Sequence, residues 1–316
     1  METTRLGNTK LETAPVVMGG NVFGWTVDEK QSFELLDEFV GAGFNTVDTA
    51  DVYSRWGEGN SGGESESIIG SWMKKRGIRK EVNVITKVGS DVGQGHKDIT
   101  EKHIVKAVDD SLRRLQTDHI DLYLTHWDDD RTPVEETLGA YQKLIDAGKV
   151  RYIGASNLSP ERLNASLEAS KNDSLPRYEV FQPGYNLCDR KDFEKGVASI
   201  CQSEGLGVIT YFSLAKGFLT GKYRTEDDLG KSVRGQGVLA YYDQRGMKIL
   251  EALDDISSTY KVSPAGVALA WLIHKETVNA PITSATKSKH MQAFIEVAEL
   301  VLTPTDMEQL DAASAY

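Results

Sequence analysis

VNVITK (82–87), TEKHIVKAVDDSLRRL (100–115) and IDLYLTH (120–126) follow one another along the chain, and their order decides the fold. The outer two are short, apolar and rich in β-branched residues, and the middle one is longer and amphipathic. Apolar runs bounded by glycine or charge read as buried parallel strands, and the segment between them as the connecting helix. The same alternation continues in both directions. Further strands are expected at VVMG (16–19), NTVDT (45–49), VRYIGAS (150–156), YEVFQ (178–182), GVITYF (207–212) and NAPITS (279–284). Helices are expected over Lys30–Gly41, Glu64–Lys75, Thr100–Leu115, Pro133–Ala147, Ser159–Ser170, Asp189–Glu204, Asp243–Tyr260 with Ser263–Lys275, and Lys287–Val297. Thr132-Pro133, Ser159-Pro160 and Ser263-Pro264 are start signals, and Gly148 is a stop.

Eight strands, each followed by helix, is the count of a closed barrel. The reading is a single α/β domain over residues 1–316, a (β/α)8 TIM barrel. Tyr53–Gly63 and Ser213–Tyr242 exceed ordinary connections and follow strands, which places them as long loops at the C-terminal face.

Composition narrows the function classes. A formal net charge of −11 disfavours nucleic acid and anionic membrane as general partners, while leaving room for a local basic patch. Cys188 and Cys201 read as reduced thiols; there is no CxxC and no histidine pair at zinc-ligand spacing, so no metal is expected. METTRLGNTKLET (1–13) has no apolar signal core, and the longest apolar stretch, near Ala265–Ile273, is far shorter than a membrane span. The expectation is a cytoplasmic protein, monomeric or a small homo-oligomer, acting on small molecules.

Asp48 closes the second strand, Tyr53 follows in its loop, Lys87 closes the third strand and His126 the fourth. Polar residues that end barrel strands share the C-terminal face, where barrel active sites form. The four together suit proton transfer to a carbonyl. A free tyrosine titrates at about 10; a nearby ammonium favours phenolate, and a carboxylate keeps the ammonium charged. Histidine can hydrogen-bond the substrate oxygen while tyrosine protonates it.

These residues sit in VDTADVYS (47–54), ITKVG (85–89) and LYLTHWDD (122–129), and further on come YIGASNLS (152–159), FQPGYN (181–186), ITYFSLAKGFLTGKY (209–223) and APITSATKSKH (280–290). In this order, over essentially the whole chain, they resemble the motifs of the aldo-keto reductase family. The resemblance implies an NADP(H)-linked reductase of aldehydes and ketones with Asp48, Tyr53, Lys87 and His126 at its centre. It implies that Ser156, Asn157 and Gln182 hold the carboxamide and that Tyr211 stacks beneath the nicotinamide. Phe212, Ser213, Leu214 and Lys222, with Arg234 beyond, would hold the pyrophosphate, Gly20 and Asn21 would lie near the ribose together with Asp48, and Ser284, Thr286, Lys287 and His290 would face the 2′-phosphate. A helix N-terminus and cations both favour phosphate there.

The chain departs from the family pattern at Phe212-Ser213-Leu214, at His126-Trp127-Asp128-Asp129, and at Ser284 and His290, where stronger phosphate ligands are common. NAD(H) therefore stays open as an alternative cofactor, with Lys222, Lys287, Lys289 and Arg234 as substitute phosphate ligands. Phe23, Trp25, Trp56 and Trp127 lie on loops after strands and suggest an aromatic-walled substrate pocket. Asp128–Asp130 is either a solvated acidic loop or a contact for a cationic or hydroxylated substrate.

Rival readings have less support. A short-chain dehydrogenase needs lysine four residues after tyrosine, and none of the 12 tyrosines has it. GEGNSGG (57–63) follows the second strand and does not open the first helix, so it is no dinucleotide fingerprint. His126, Asp128 and Asp129 are the only basis for a metal-dependent hydrolase. The resembled family also includes potassium-channel β-subunits, so a cofactor-occupied regulatory barrel with little turnover is the alternative from another class.

Overall fold

The computed structural model describes residues 1–316, and the eight expected strands form one closed, all-parallel barrel. A short antiparallel hairpin, β1 (Thr4–Arg5) and β2 (Glu12–Thr13), comes first. The first barrel strands are β3 (Val17–Gly19), β4 (Thr46–Asp48), β5 (Asn83–Val88) and β6 (Ile120–Thr125). β7 (Val150–Ser156), β8 (Tyr178–Gln182), β9 (Gly207–Thr210) and β10 (Ala280–Thr283) complete the circle, with β10 pairing back to β3. The ring of helices comprises α1 (Glu29–Gly41), α2 (Glu64–Arg76), α3 (Glu101–Leu115), α4 (Val134–Asp146), α5 (Pro160–Asp173), α6 (Ala198–Ser203), α7 (Gln244–Tyr260), α8 (Pro264–Ile273), α9 (Met291–Glu299) and α10 (Pro304–Ala313). No helix is long and apolar enough to cross a membrane.

Local chemistry accounts for most helix starts. Asp28, Thr100, Ser159 and Ser263 each accept a hydrogen bond from a first-turn amide of the following helix. Thr132 behaves differently from its expected role: its hydroxyl donates to Asp129 Oδ2 at 2.6 Å, and α4 begins without a side-chain cap. The helix before β9 carries a π-helical stretch, Phe193–Val197, ahead of α6. Two elements have no counterpart in the sequence reading. One is the β1–β2 hairpin; the other is α10, whose start is a reciprocal Thr303–Asp306 capping box.

The strands are short, so side-chain alternation alone sorts their residues into an inner and an outer layer. Val17, Ile85, Leu122, Leu124, Val180, Ile209, Ala280 and Ile282 fill the barrel interior, and Leu6 and Leu11 from the hairpin join them. Tyr123, between Leu122 and Leu124, points outward into the larger core under the helices. Two residues beyond each last inner apolar residue, the chain again faces the barrel axis. Those positions are Lys87 after Ile85, His126 after Leu124, Gln182 after Val180, Tyr211 after Ile209 and Ser284 after Ile282. Asp48 is in register with the inward-facing Ile85, and its carboxylate reaches the amine of Lys87. The uppermost layer of the barrel is therefore polar.

Candidate active site

In this top layer, the amine of Lys87 is completely buried and makes three hydrogen bonds. It donates to Asp48 Oδ2 at 2.7 Å, to the Thr49 carbonyl at 2.7 Å and to the Tyr53 hydroxyl oxygen at 2.9 Å. The Tyr53 hydroxyl itself donates to Asp48 Oδ2 at 3.2 Å, and Gln182 Nε2 donates to the other oxygen, Asp48 Oδ1, at 2.9 Å. The two strand ends and one loop thus place a carboxylate, an ammonium and a phenol in mutual contact. His126 completes the group, its ring centroid 6.0 Å from that of Tyr53.

The electrostatics differ from the simple expectation that Lys87 draws Tyr53 down. Burial, then the Asp48 carboxylate, push the Tyr53 phenol well above its ordinary value. Beyond burial, Lys87 and Tyr53 share one oxygen of Asp48, so the carboxylate offsets the field of the ammonium. Tyr53 is consequently a neutral phenol throughout the physiological range. Burial lowers the Lys87 ammonium, and the Asp48 contact opposes it. Burial, then the charge of Lys87, hold His126 well below its ordinary value, so its imidazole is neutral. Ser90 Oγ lies 3.0 Å from His126 Nδ1. With Ser90 as donor, the His126 proton resides on Nε2, free to donate to a ligand oxygen. Ser90 was not anticipated; its signal was a polar residue three positions past a strand-closing lysine.

The residues expected around a dinucleotide lie at the strand ends and loops of the same face. Ser156 Oγ donates to the Gln182 carbonyl at 2.8 Å; Asn157 Nδ2 donates to the His126 carbonyl at 3.0 Å, and Tyr211 Oη to Asn157 Oδ1 at 2.8 Å. Gly184 lies directly against the Tyr211 ring, where a Cβ would come within 3.1 Å of it. Ser284 Oγ donates to Asn21 Oδ1 at 2.6 Å, joining the first and last strand loops, and Gly20 packs on Ser65 and Asp48. Thr286 N donates to His290 Nδ1 at 3.2 Å. Burial, followed by the charges of Lys222, Lys289 and Lys287, keeps His290 below its ordinary value. Lys222, Lys287 and Lys289 near His290, with the half-buried Tyr211 ring, suit a phosphorylated dinucleotide.

Other expected residues are placed differently. The Phe23 side chain is fully buried in the outer core, and its carbonyl accepts from Ser54 Oγ at 2.6 Å. Ser213 is buried, its hydroxyl donating to the Thr210 carbonyl at 2.9 Å, whereas Phe212 beside it is 45% exposed. Leu214 packs against the core. Arg234 rests over Trp25, with its Cζ 5.5 Å from the ring centroid. Trp25, Trp56 and Trp127 do gather at the mouth: Trp56 lies 5.8 Å from Trp25 and 6.0 Å from Tyr53, and Trp127 stacks on His126 at 6.1 Å.

The acidic loop after β6 is occupied in holding itself together. Asp128 pairs with Arg162 at 2.8 Å. Burial works to raise the Asp129 carboxyl, but hydrogen bonds from Thr132 and from the backbone of Arg131 and Ile99 hold it at about 2. No group of three or more His, Cys, Asp and Glu is arranged to hold a metal.

Backbone strain gathers at this face as well. Among non-glycine residues with positive φ, Gln116, Ser174 and Lys261 merely end helices, whereas Ser54, Asp130, Asn157, Phe212, Ala215 and Lys216 all lie on loops at the mouth.

Comparison with known proteins agrees with this geometry. The model of the Aldo/keto reductase family matches residues 15–315. The chain belongs to the aldo-keto reductase family. It is 31% identical to aldo-keto reductase YhdN of Bacillus subtilis, over 98% of this chain and 93% of that one. It is 29% identical to a norsolorinic acid reductase of Aspergillus flavus, over 97% and 79% of the respective chains. It is also 31% identical to a probable voltage-gated potassium channel subunit beta of Oryza sativa, over 99% and 96%. This aldo-keto reductase is therefore a member of an oxidoreductase family that generally uses NAD(P)H and small carbonyl compounds.

Proposed function

We propose that this aldo-keto reductase interconverts an aldehyde or ketone with its alcohol, using NADP(H), and that Tyr53 is the general acid in reduction and the general base in oxidation. The observation that carries the proposal is the buried contact of Tyr53 with Lys87 and Asp48 beside a neutral His126. When bound, the dinucleotide supplies the hydride. His126 Nε2 orients the carbonyl oxygen, and Tyr53 Oη delivers a proton to it. Lys87, fixed by Asp48 and the Thr49 carbonyl, stabilises the phenolate left behind. Asp48 is held in turn by Gln182.

Ser156, Asn157 and Gln182 would hold the carboxamide over Tyr211, with Phe212, Ser213, Leu214, Lys222 and Arg234 along the phosphates and Gly20 and Asn21 by the ribose. The positive charges of Lys222, Lys287 and Lys289 around His290, which accepts from the Thr286 amide, support the 2′-phosphate and hence NADP(H) over NAD(H). The Aspergillus flavus relative is by name a reductase, in keeping with this direction.

The test is Tyr53→Phe. We expect it to bind NADPH within about twofold of the parent and to lose about 10²–10⁴-fold in carbonyl reduction, the usual share of a general acid. Activity within a few-fold of the parent would overturn the assignment. A second reading, a regulatory barrel with little turnover, is favoured by the likeness to the Oryza sativa channel subunit. It predicts NADPH binding without loss of NADPH absorbance on addition of an aldehyde by the unaltered protein.

A further inference from the structure

The segment 284–290, between β10 and α9, is tied by side chains to the first β/α unit. Ser284 Oγ donates to Asn21 Oδ1 at 2.6 Å, Gln31 Nε2 donates to the Thr286 carbonyl at 3.0 Å, and Ser288 Oγ donates to Glu38 Oε1 at 2.7 Å. Gln31 and Glu38 are seven residues apart on α1, two turns along one face. The segment's own bonds are local: Thr286 N donates to His290 Nδ1 at 3.2 Å and His290 N to the Lys287 carbonyl at 2.9 Å. Behind it α1 and α9 are packed together, with the ring of Phe294 6.1 Å from those of Phe39 and Phe44. The helix that reaches for the segment is therefore a firm base.

The bond from Gln31 orients the peptide it touches. No peptide bond is cis, so the Thr286 carbonyl and the Lys287 amide N–H point in opposite directions. With the carbonyl engaged by α1, the Lys287 amide is turned to the far side, and it donates to no group of the protein. Lys287, Ser288 and Lys289 are all exposed. If this peptide rotated, a carbonyl oxygen would stand where the amide is, and an anion beside the two lysines would meet a partial negative charge. Backbone N–H groups favour anions and carbonyls oppose them, so the side chain of Gln31 decides which end of the peptide dipole the segment offers.

We propose that Gln31 and Glu38 are positioning residues for discrimination between NADP(H) and NAD(H), holding segment 284–290 from α1 in the form that receives the 2′-phosphate. This rests on the NADP(H) reading above. The two residues act through the Thr286–Lys287 peptide and Ser288, not by contact with the dinucleotide.

The test is fluorescence titration of the full-length protein with NADPH and with NADH. Gln31→Met keeps the side-chain length and the α1 cap, in which the Gln31 amide donates to Asp28 Oδ1 at 2.8 Å. We expect its ratio of NADH to NADPH dissociation constants to fall by about fivefold, the scale of one intramolecular hydrogen bond. NADH binding should stay within about twofold of the parent. Ser288→Ala removes the Glu38 bond alone at an exposed position, and should lower the same ratio by about twofold or more. It keeps the test valid if Gln31→Met folds poorly. A parent that prefers NADPH, with the ratio unchanged in both variants, overturns the inference and leaves the NADP(H) reading standing. Equal weakening of both dinucleotides also overturns it, because a bond with only a structural role acts on both alike. A ratio that falls in one variant alone confines the role to that contact and overturns the other. A parent that binds NADH as tightly as NADPH overturns the NADP(H) reading and this inference with it.

Discussion

Replacing Lys87 by methionine isolates the central interaction of the site. Methionine keeps most of the volume and removes all three donor bonds, to Asp48 Oδ2 and the Thr49 carbonyl at 2.7 Å and to Tyr53 at 2.9 Å. Asp48 is then a buried carboxylate with only Gln182 and Tyr53 donating to it. Removing one partner of a buried ion pair costs about 3–5 kcal/mol, because the charge left behind has lost its compensation. The variant can relieve part of this by taking a proton onto Asp48. Its folded state then binds more protons than its unfolded state, so stability is gained as pH falls and lost as pH rises. Urea unfolding should therefore show a deficit of about 3–5 kcal/mol near pH 8 and a smaller one near pH 5. The double variant Lys87→Met/Asp48→Asn removes both charges and should recover much of the loss, a coupling of at least about 1 kcal/mol. Carbonyl reduction should fall by about 100-fold or more, with NADPH affinity nearly unchanged. A deficit under about 1 kcal/mol, typical of an ordinary surface change, or strictly additive single variants, would refute the reasoning.

Three other expectations follow from the site and its supports. Tyr53 is held well above its ordinary value by burial and Asp48, and His126 well below by burial and Lys87, so kcat for reduction should be flat between about pH 6.5 and about pH 9 while oxidation rises with pH; an inflection near neutrality in the reduction profile would point to a different acid. Lys287→Ala should lower the NADPH-to-NADH ratio of kcat/KM by about tenfold if it meets the 2′-phosphate, and an unchanged ratio would move that role to Lys222 or Lys289. At Gly70 in α2 a Cβ would fall 2.3 Å from the Arg114 carbonyl oxygen and 2.5 Å from the Leu115 carbonyl carbon at the end of α3. Gly70→Ala should accordingly cost about 1–3 kcal/mol in a denaturation experiment, and a neutral result would mean that the two helices can separate freely.

Much of the fold was legible because each strand is a short apolar run between polar segments, which local composition reports directly. The hairpin was not: Thr4–Arg5 and Glu12–Thr13 are polar pairs, and only Leu6 and Leu11 entering the barrel interior give them a purpose. Helix α10 carried its start signal in Thr303, Pro304 and Asp306 but followed no strand, so the β/α alternation did not call for it.

The sequence by itself determined which residues reach the mouth. Period-two alternation carries Lys87, His126, Gln182, Tyr211 and Ser284 onto the barrel axis once the apolar run before each is known. Which of these residues touch, and in what charge state, only the tertiary structure decided. Tyr53 is buried and Asp48 Oδ2 accepts from both it and Lys87, so the phenol rises where the residue list alone suggested that it falls. Thr132, Ser213 and Asp129 use their polar groups on neighbouring loop atoms, Asp128 pairs with Arg162 of α5, and the Phe23 side chain is buried in the core. Facing the axis is a property of a single strand, set by its backbone. Sharing an oxygen, losing water or finding a counter-charge depends on neighbours brought in from other strands, and the closed barrel supplies them.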